Sequence, residues 1–281
     1  MESPTIQRRR LGLALKRARE AAGKTQDEAA KAIDSAASKI SRLEMGQSGI
    51  KLTDLGILLE LYGVAGDDAE SMKQLARAGR QRGRWSGVRS IPDWFRRYID
   101  LETDASEIKW YQHEVIPGIF QTEAYIRAML LSGQPRAADD EIEKVIEVRL
   151  ERQKVLDQRR KTVSAILSES ALRRMVGDER VMRDQLRHLA EIAQSPRVAI
   201  QVLPFNAKSV GDAWAHFILL RFADDATSDV VYLDGYADAD YIDRPETVRA
   251  YAQLWDRLQA VALGPVESRN LILKVAEERK D

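Results

Sequence analysis

The sequence predicts two domains of different fold class: an all-α N-terminal bundle, then an α+β domain with a mainly antiparallel sheet. The chain has 281 residues, which is enough for two domains. Helical periodicity fills residues 8–80, and a Gly- and Arg-rich stretch without periodicity follows at 81–90. Several short strand patterns lie late in the chain among helical ones. We therefore predict domains at residues 1–80 and 91–281, joined by a linker at 81–90.

The N-terminal domain is predicted to contain five helices. Residues 1–7 are expected to be a disordered arm, and the first helix runs from Arg8 to a C-capping Gly23. Helices over residues 25–33 and 36–45 follow, separated by the polar pair Asp34-Ser35. Thr53 is expected to cap a helix that ends at Gly63, and residues 67–80 form the last helix, with acidic residues first and basic residues last.

The stretch at residues 25–46, TQDEAAKAIDSAASKISRLEMG, predicts two short helices joined by a tight turn. Thr25 is a candidate N-cap, and Ile40 and Leu43 have the spacing of a buried face on the second helix. Small and hydrogen-bonding side chains then lie on its exposed side: Ala37, Ser38, Lys39, Ser41 and Arg42. Such side chains allow close approach to base edges and reach phosphates.

This stretch resembles the lambda-repressor-like helix-turn-helix of the XRE type, through Thr25-Gln26 and the ISRLE segment at 40–44. Two positions depart from the pattern: Asp34 stands where the turn usually carries Gly, and Ser35 where it usually carries an apolar residue. Asp tolerates the left-handed conformation, so the turn is expected to survive. The competing interpretation is an ordinary helical hairpin.

The resemblance implies binding to double-stranded DNA, with contacts from Gln26 and from the five exposed positions of the second helix. The charge distribution agrees with this, because residues 1–90 hold 17 Lys and Arg against 11 Asp and Glu, whereas the remainder holds 27 against 33. The arginines at 8–10 are further candidates for contacts with the DNA backbone, or else form a solvated helix start.

The second domain is predicted from alternating patterns. Strands are expected at residues 107–115, 162–167, 198–203, 216–222 and 229–233. Helices are expected at 122–131, 139–160, 171–176, 181–193, 245–261 and 266–278. Its segments IPGIFQTEAYIRAML (116–130), RLERQ (149–153), SESALRRMVG (168–177) and QLRHLAEIAQSPRVAIQVLP (185–204) resemble actinobacterial XRE-type regulators described as toxin–antitoxin-like. That resemblance implies a C-terminal domain of unassigned chemistry and a small partner protein encoded by a neighbouring gene.

The residues do not form a pattern that predicts catalysis or cofactor binding. His113, His188 and His216 are far apart in sequence and lack the spacing of a metal site. Ser168 and Ser170 beside Glu169 do not form a nucleophile elbow, and neither a P-loop nor a dinucleotide fingerprint occurs. The chain has no cysteine and no apolar run of membrane-spanning length. We expect a cytoplasmic protein that is not an enzyme and uses neither metal nor cofactor.

An acidic, tyrosine-containing segment at residues 224–243 is a candidate partner-binding surface. The residues of this segment that we predict to contact a partner are Asp234, Tyr236, Asp238, Asp240 and Tyr241. A solvated edge strand with its loops is the favoured interpretation. A surface for a basic partner is the alternative, because tyrosines among aspartates provide contact area at small entropic cost.

These observations predict a sequence-specific DNA-binding transcription regulator. Its C-terminal domain would mediate dimerisation and respond to a partner or effector. A homodimer is expected because one recognition helix reads only a short half-site. The alternative is an antitoxin-like protein that sequesters a small partner encoded nearby and regulates its own operon.

Overall fold

The computed structural model describes residues 2–81, 83, 91–133, 138–208, 216–223, 227–235 and 237–279. The chain divides into two compact units. The N-terminal unit comprises Met1–Arg89, Phe95–Asp104 and Phe222–Ser228, and the C-terminal unit comprises Ser90–Trp94, Ala105–Arg221 and Asp229–Asp281. Most of the predicted linker, at residues 82 and 84–90, lies outside the described residues. Within the described ranges, none of the helices is both long enough and apolar enough to span a membrane.

The N-terminal unit begins with five helices in the predicted order. They are α1 (Pro4–Ala21), α2 (Gln26–Ala32), α3 (Ala37–Glu44), α4 (Leu52–Leu61) and α5 (Gly66–Gly79). Their apolar faces form one core, in which Leu15, Ile40, Leu55 and Leu58 are almost fully buried. Burial of these stripes is the main source of stability for such short helices, because a helix of about ten residues is marginal alone in water.

The prediction of a disordered arm at residues 1–7 is wrong. Helix α1 begins at Pro4, where a fixed φ suits the first helical position, and the Ser3 hydroxyl accepts a hydrogen bond from the Ile6 N–H at 3.3 Å. Thr5 and Ile6 are buried. The predicted cap at Thr53 is also wrong, because the N-cap of α4 is Lys51, two residues earlier, and its side chain makes no capping hydrogen bond.

Two segments that are distant in sequence complete the N-terminal unit: most of α6 (Asp93–Asp104) and residues 222–228. Thr5 Oγ1 donates to Asp100 Oδ2 at 2.6 Å, and the Ser3 N–H donates to Asp104 Oδ2 at 3.0 Å. Burial raises the pKa of Asp100. The start of α1 is therefore a packed part of this unit.

The arginines at 8–10 make contacts within the N-terminal unit. Arg8 Nη1 donates to the Gly79 carbonyl at 3.0 Å, Arg9 Nη2 donates to the Ser228 carbonyl at 3.2 Å, and Arg10 Nε donates to Thr227 Oγ1 at 3.2 Å. Burial lowers the pKa of Arg8. In this structure the three side chains are hydrogen-bonded within the unit, and the interpretation as a solvated helix start does not describe them.

The C-terminal unit is built on a six-stranded sheet with the order β3-β2-β1-β4-β5-β6. The strands are β1 (Glu107–Gln112), β2 (Thr162–Ser168), β3 (Val198–Leu203), β4 (Phe217–Arg221), β5 (Val230–Asp234) and β6 (Ala239–Ile242). The pairs β1–β2 and β2–β3 are parallel, and the other three pairs are antiparallel.

The prediction of a mainly antiparallel sheet is therefore wrong, because the sheet is mixed. Helices α7 (Glu123–Gly133) and α8 (Asp139–Gln153) connect β1 to β2, and α9 (Glu169–Arg173) and α10 (Glu179–Ile192) connect β2 to β3. Long helical connections of this kind return the chain to the same end of the sheet, and the joined strands then run parallel. Shorter connections join β4, β5 and β6, and these strands pair antiparallel.

Two further helices close the C-terminal unit, α11 (Pro245–Val261) and α12 (Pro265–Glu277), both within one residue of the predicted bounds. Trp255 and Leu258 of α11 pack with Tyr111, Phe217 and Val231 of the sheet in one buried cluster. Helix α8 is shorter than the predicted 139–160 and continues as a 3-10 turn, Lys154–Asp157. Another 3-10 turn, Gly118–Phe120, lies within the IPGIFQT segment.

Candidate nucleic-acid interface

Helix α2 has a fixed starting point because Thr25 and Glu28 form a reciprocal capping box. The Glu28 N–H donates to Thr25 Oγ1 at 3.2 Å, and the Thr25 N–H donates to Glu28 Oε2 at 2.8 Å. The hydrogen bond from the Thr25 backbone, together with that from its hydroxyl, lowers the pKa of Glu28. The predicted cap at Thr25 is confirmed.

The turn between α2 and α3 is formed by Asp34 in the left-handed conformation, with φ of 47°. The Ser35 N–H donates to the Ala30 carbonyl at 2.9 Å and closes the end of α2. Asp therefore takes the backbone role that Gly has in the resembled motif, as expected. Ser35 is half-buried, and Ala29, Ala30 and Ile33 supply the apolar contacts with α3.

Helix α3 presents the predicted candidate residues on one accessible side. Ile40 and Leu43 are buried, Ser38 and Arg42 are exposed, and three candidates are half-buried, Ala37, Lys39 and Ser41. Ala36, at the N-cap position, supplies no side-chain acceptor. The first N–H groups of α3 can therefore donate to an external acceptor such as a phosphate oxygen.

A buried ionic cluster fixes the end of α3 to α1 and α2. Arg19 donates from Nε to Glu44 Oε1 at 2.6 Å and from Nη2 to Glu44 Oε2 at 3.1 Å. Gln26 Nε2 donates to the same Oε2 at 2.9 Å. Burial, followed by the negative charge of Glu44, raises the pKa of Tyr62 to about 12. The sequence predicted a DNA contact for Gln26 and did not indicate its hydrogen bond to Glu44.

Helix α1 crosses the end of α3 at very short range. A Cβ atom at Gly12 would lie 2.5 Å from the carbonyl oxygens of both Leu43 and Glu44. At Gly46, where φ is +65°, a Cβ would lie 2.7 Å from the Arg9 Cα. Only glycine permits this backbone contact, so the orientation of α3 depends on both positions.

Lys39 of α3 forms an ion pair with Asp54 of α4. Its Nζ donates to Asp54 Oδ2 at 2.9 Å, and this hydrogen bond lowers the pKa of Asp54. Both side chains keep partial solvent access. Arg42, by contrast, has no side-chain partner in the part of the chain that the structure describes. The two cations of α3 therefore differ in their availability to a polyanion.

The predicted acidic surface corresponds largely to a hairpin of β5 and β6, and β6 is an edge strand. Asp234 Oδ1 accepts from His216 Nε2 at 2.9 Å, and this hydrogen bond raises the pKa of His216. Tyr241 Oη donates to the Trp94 carbonyl. Asp238 and Asp240 are exposed, whereas Tyr236 lies outside the described residues.

The three histidines do not form a common site. The rings of His113 and His216 meet edge to face with centroids 5.4 Å apart, a contact that their sequence separation did not predict. His188 lies on α10, and burial lowers its pKa. In the described ranges, no group of three or more His, Cys, Asp or Glu side chains has the arrangement of a metal site.

The capped α2, the left-handed turn and the anchored α3 define the N-terminal region as a helix-turn-helix domain. A family model for a helix-turn-helix domain matches residues 10–72. A second family model, described as a domain of unknown function (DUF5753), matches residues 95–274, which is more than half of the chain. The chain belongs to this DUF5753 family. Comparisons with curated proteins and with solved structures returned no match.

Proposed function

We propose that this protein is a sequence-specific DNA-binding transcription regulator of the XRE type, with α3 as its recognition helix. The observation that carries the proposal is the division of α3 into two faces. Ile40 and Leu43 are buried in the helical core, while Ser38 and Arg42 are exposed beside an N-terminus without a side-chain cap. This arrangement suits entry into a major groove, where short side chains permit close approach and arginine binds guanine.

Arg42→Ala is expected to weaken binding to a specific duplex by about 1 to 3 kcal/mol, because a base contact is lost. The matched control is Arg17→Ala, which removes the same charge from an exposed position of α1. Fluorescence anisotropy with a duplex selected by the wild-type protein measures both. Equal affinity of the Arg42 and Arg17 variants would contradict a base-reading role for Arg42.

The ion pair with Asp54 suggests a phosphate-contacting role for Lys39. On that proposal Lys39→Ala weakens specific and non-specific duplexes alike and lowers the salt slope by about one. Asp54→Asn is expected to strengthen both, since it frees the ammonium group. Loss of affinity in Asp54→Asn with an intact fold would contradict this role.

We also propose a homodimer with its interface in the C-terminal unit. The side chains of Phe205 and Val266 are 65% and 70% exposed. The Leu263 N–H donates to the Val202 carbonyl at 2.9 Å, and this hydrogen bond joins the two chain segments three residues before Val266 and Phe205, respectively. Light scattering of the full chain should give twice its mass of 31.8 kDa. The double change Phe205→Ser and Val266→Ser should weaken the dimer at least tenfold, because burial of each side chain contributes about 1.5 to 3 kcal/mol.

The control for this test is Leu131→Ser on α7, where the side chain is 46% exposed. If the double change leaves dimerisation unaffected, Phe205 and Val266 do not belong to the dimer interface. A monomeric wild-type chain at the concentrations used for DNA binding would reject the dimer itself.

A binding role is proposed for the C-terminal unit rather than a catalytic one. Two buried or half-buried glutamine side chains of this unit bind the backbone at residues 120–121. Gln185 Nε2 donates to the Phe120 carbonyl at 2.7 Å, and Gln153 Nε2 donates to the Gln121 carbonyl at 2.6 Å. These groups are used structurally. Turnover of an ester or phosphate substrate that a substitution in this unit abolishes would contradict the proposal.

The alternative function is antitoxin-like sequestration of a small protein encoded by a neighbouring gene, with DNA binding used for autoregulation. The position of β6 at the edge of the sheet supports it, because an edge strand beside Asp238 and Asp240 could pair with a strand of a basic partner. Purification from the native host separates the two functions. A stoichiometric small protein would favour sequestration, and its absence at all growth stages would favour direct regulation.

A further inference from the structure

A cleft of about 430 Å³ lies within the C-terminal unit. Helix α8, the 3-10 turn Lys154–Asp157, helix α10 and the start of β3 line it. The apolar part of the wall is formed by Ile119, Leu150, Leu156, Ile192 and Val198. Its volume lies in the range of about 300 to 1,000 Å³ that is usual for small-molecule sites.

One wall of this cleft is held in place by hydrogen bonds that do not depend on a ligand. Ile119 belongs to the 3-10 turn Gly118–Phe120. Gln153, itself a lining residue, donates from Nε2 to the carbonyls of Gly118 and Gln121 at 3.3 and 2.6 Å, and Gln185 donates to Phe120 at 2.7 Å. The cleft is therefore preformed on this side, which limits the entropic cost of binding.

The positively charged side chain of Arg197 lies at the cleft. Its Nε is buried and meets no acceptor among the described residues. No described carboxylate lies within ion-pair distance of its guanidinium group, although Asp157 and Glu191 also line the cleft. A buried donor without an acceptor is unfavourable, and an arginine fork matches the two oxygens of a carboxylate.

The other polar groups restrict the charge of a ligand. Lys154 forms an ion pair with Glu151, and burial lowers the pKa of His188, which favours its neutral form. Asp157 and Glu191 repel an anion of higher charge, such as a phosphate dianion. A single carboxylate joined to an apolar body satisfies Arg197 and the apolar wall together.

We propose that this cleft binds a small amphipathic monocarboxylate, with its carboxylate on Arg197 and its apolar body against Ile119, Leu150 and Ile192. The proposal rests on the binding role proposed for the C-terminal unit and gives the ligand of that unit a chemical class. Binding of a monocarboxylate can be measured without DNA. The proposed cleft and the proposed DNA binding by α3 can therefore be rejected independently of each other.

Calorimetric titration of the full chain tests the site with straight-chain monocarboxylates of about six to ten carbon atoms, chosen to fit the cleft. Each acid is compared with its primary amide, which has nearly the same shape and no charge. At least one acid should bind about tenfold or more tightly than its amide, because the charge-assisted bonds to Arg197 are lost with the amide. Acetate, which lacks the apolar body, should bind more weakly than the longer acids.

Arg197→Gln should weaken acid binding about tenfold or more and leave amide binding nearly unchanged. Arg180→Gln is the matched control, because Arg180 is 79% exposed on α10 and does not line the cleft. Acids and amides that bind equally, or acid binding that survives Arg197→Gln, would overturn the proposal. So would the absence of binding by every acid at millimolar concentration. Should circular dichroism show that Arg197→Gln is unfolded, the comparison of acid with amide on the wild-type chain decides.

Discussion

Replacement of Glu44 with alanine is expected to lower the free energy of unfolding of the N-terminal unit by about 3 kcal/mol, because it leaves the buried Arg19 with only the exposed Glu20, whose Oε1 lies 3.7 Å from Arg19 Nη2, as a counter-ion. The side chains of Arg19 and Glu44 are only 10% and 5% exposed, and Gln26 loses its acceptor as well. Helices α1, α2 and α3 would lose their common polar anchor. Urea unfolding of the full chain, followed by circular dichroism, measures the change.

The control is Glu70→Ala in α5, where a half-exposed carboxylate accepts from Arg77 Nη1 at 2.9 Å. A surface pair of this kind contributes about 0 to 1 kcal/mol. A Glu44 variant as stable as the Glu70 variant would show that the cluster does not hold the three helices together.

Gly12→Ala is expected to destabilise the N-terminal unit by about 1 to 3 kcal/mol, the usual cost of overpacking. Alanine normally stabilises a helix interior relative to glycine by about 0.5 to 1 kcal/mol. At Gly12 the sign reverses, because the new Cβ would lie 2.5 Å from two backbone carbonyl oxygens of α3. Carbonyls at the end of a packed helix cannot move away as a flexible side chain can.

Gly56→Ala in α4 provides the matched control, since a Cβ at Gly56 would have no atom within 4 Å. It should raise the midpoint of urea unfolding, whereas Gly12→Ala should lower it. Changes of the same sign at both positions would contradict the close crossing of α1 over α3.

Local patterns predicted the helix-turn-helix well because its capping hydrogen bonds join residues that are close in sequence. Thr25 and Glu28 are three residues apart, and the left-handed turn requires only Asp34, so composition and spacing were sufficient. The start of α1 was missed because its order depends on distant partners. Asp100 and Asp104 receive hydrogen bonds from Thr5 and Ser3, and no local pattern indicates that pairing.

In the C-terminal unit, too, local patterns predicted the positions of strands but not how the strands pair. The strands at 198–203 and 162–168 were located closely from their apolar runs, but their parallel pairing depends on helical connections that the strand pattern alone does not reveal. Edge strand β6 was interpreted as part of an acidic segment, since Asp240 within the strand and Asp238 and Asp243 beside it mask the alternation. Arg197 was not singled out at all, because its lack of an acceptor becomes visible only in three dimensions.

The division of α3 also revised the expected roles of its two cations. Lys39 and Arg42 are equivalent in a sequence pattern, yet among the described residues only Lys39 has a carboxylate partner, Asp54, at 2.9 Å. The DNA-contacting roles of all the candidate residues stay predictions. They rest on exposure, charge and the helix-turn-helix geometry.

The central claim, that α3 reads DNA sequence, is tested most directly by selecting binding sites from a random duplex library with the full chain. We expect the wild-type protein to enrich a defined motif containing a guanine that Arg42→Ala no longer selects, and Arg17→Ala to enrich the same motif as the wild type. Failure of the wild-type protein to enrich any motif, or an identical motif from the Arg42 variant, would contradict it.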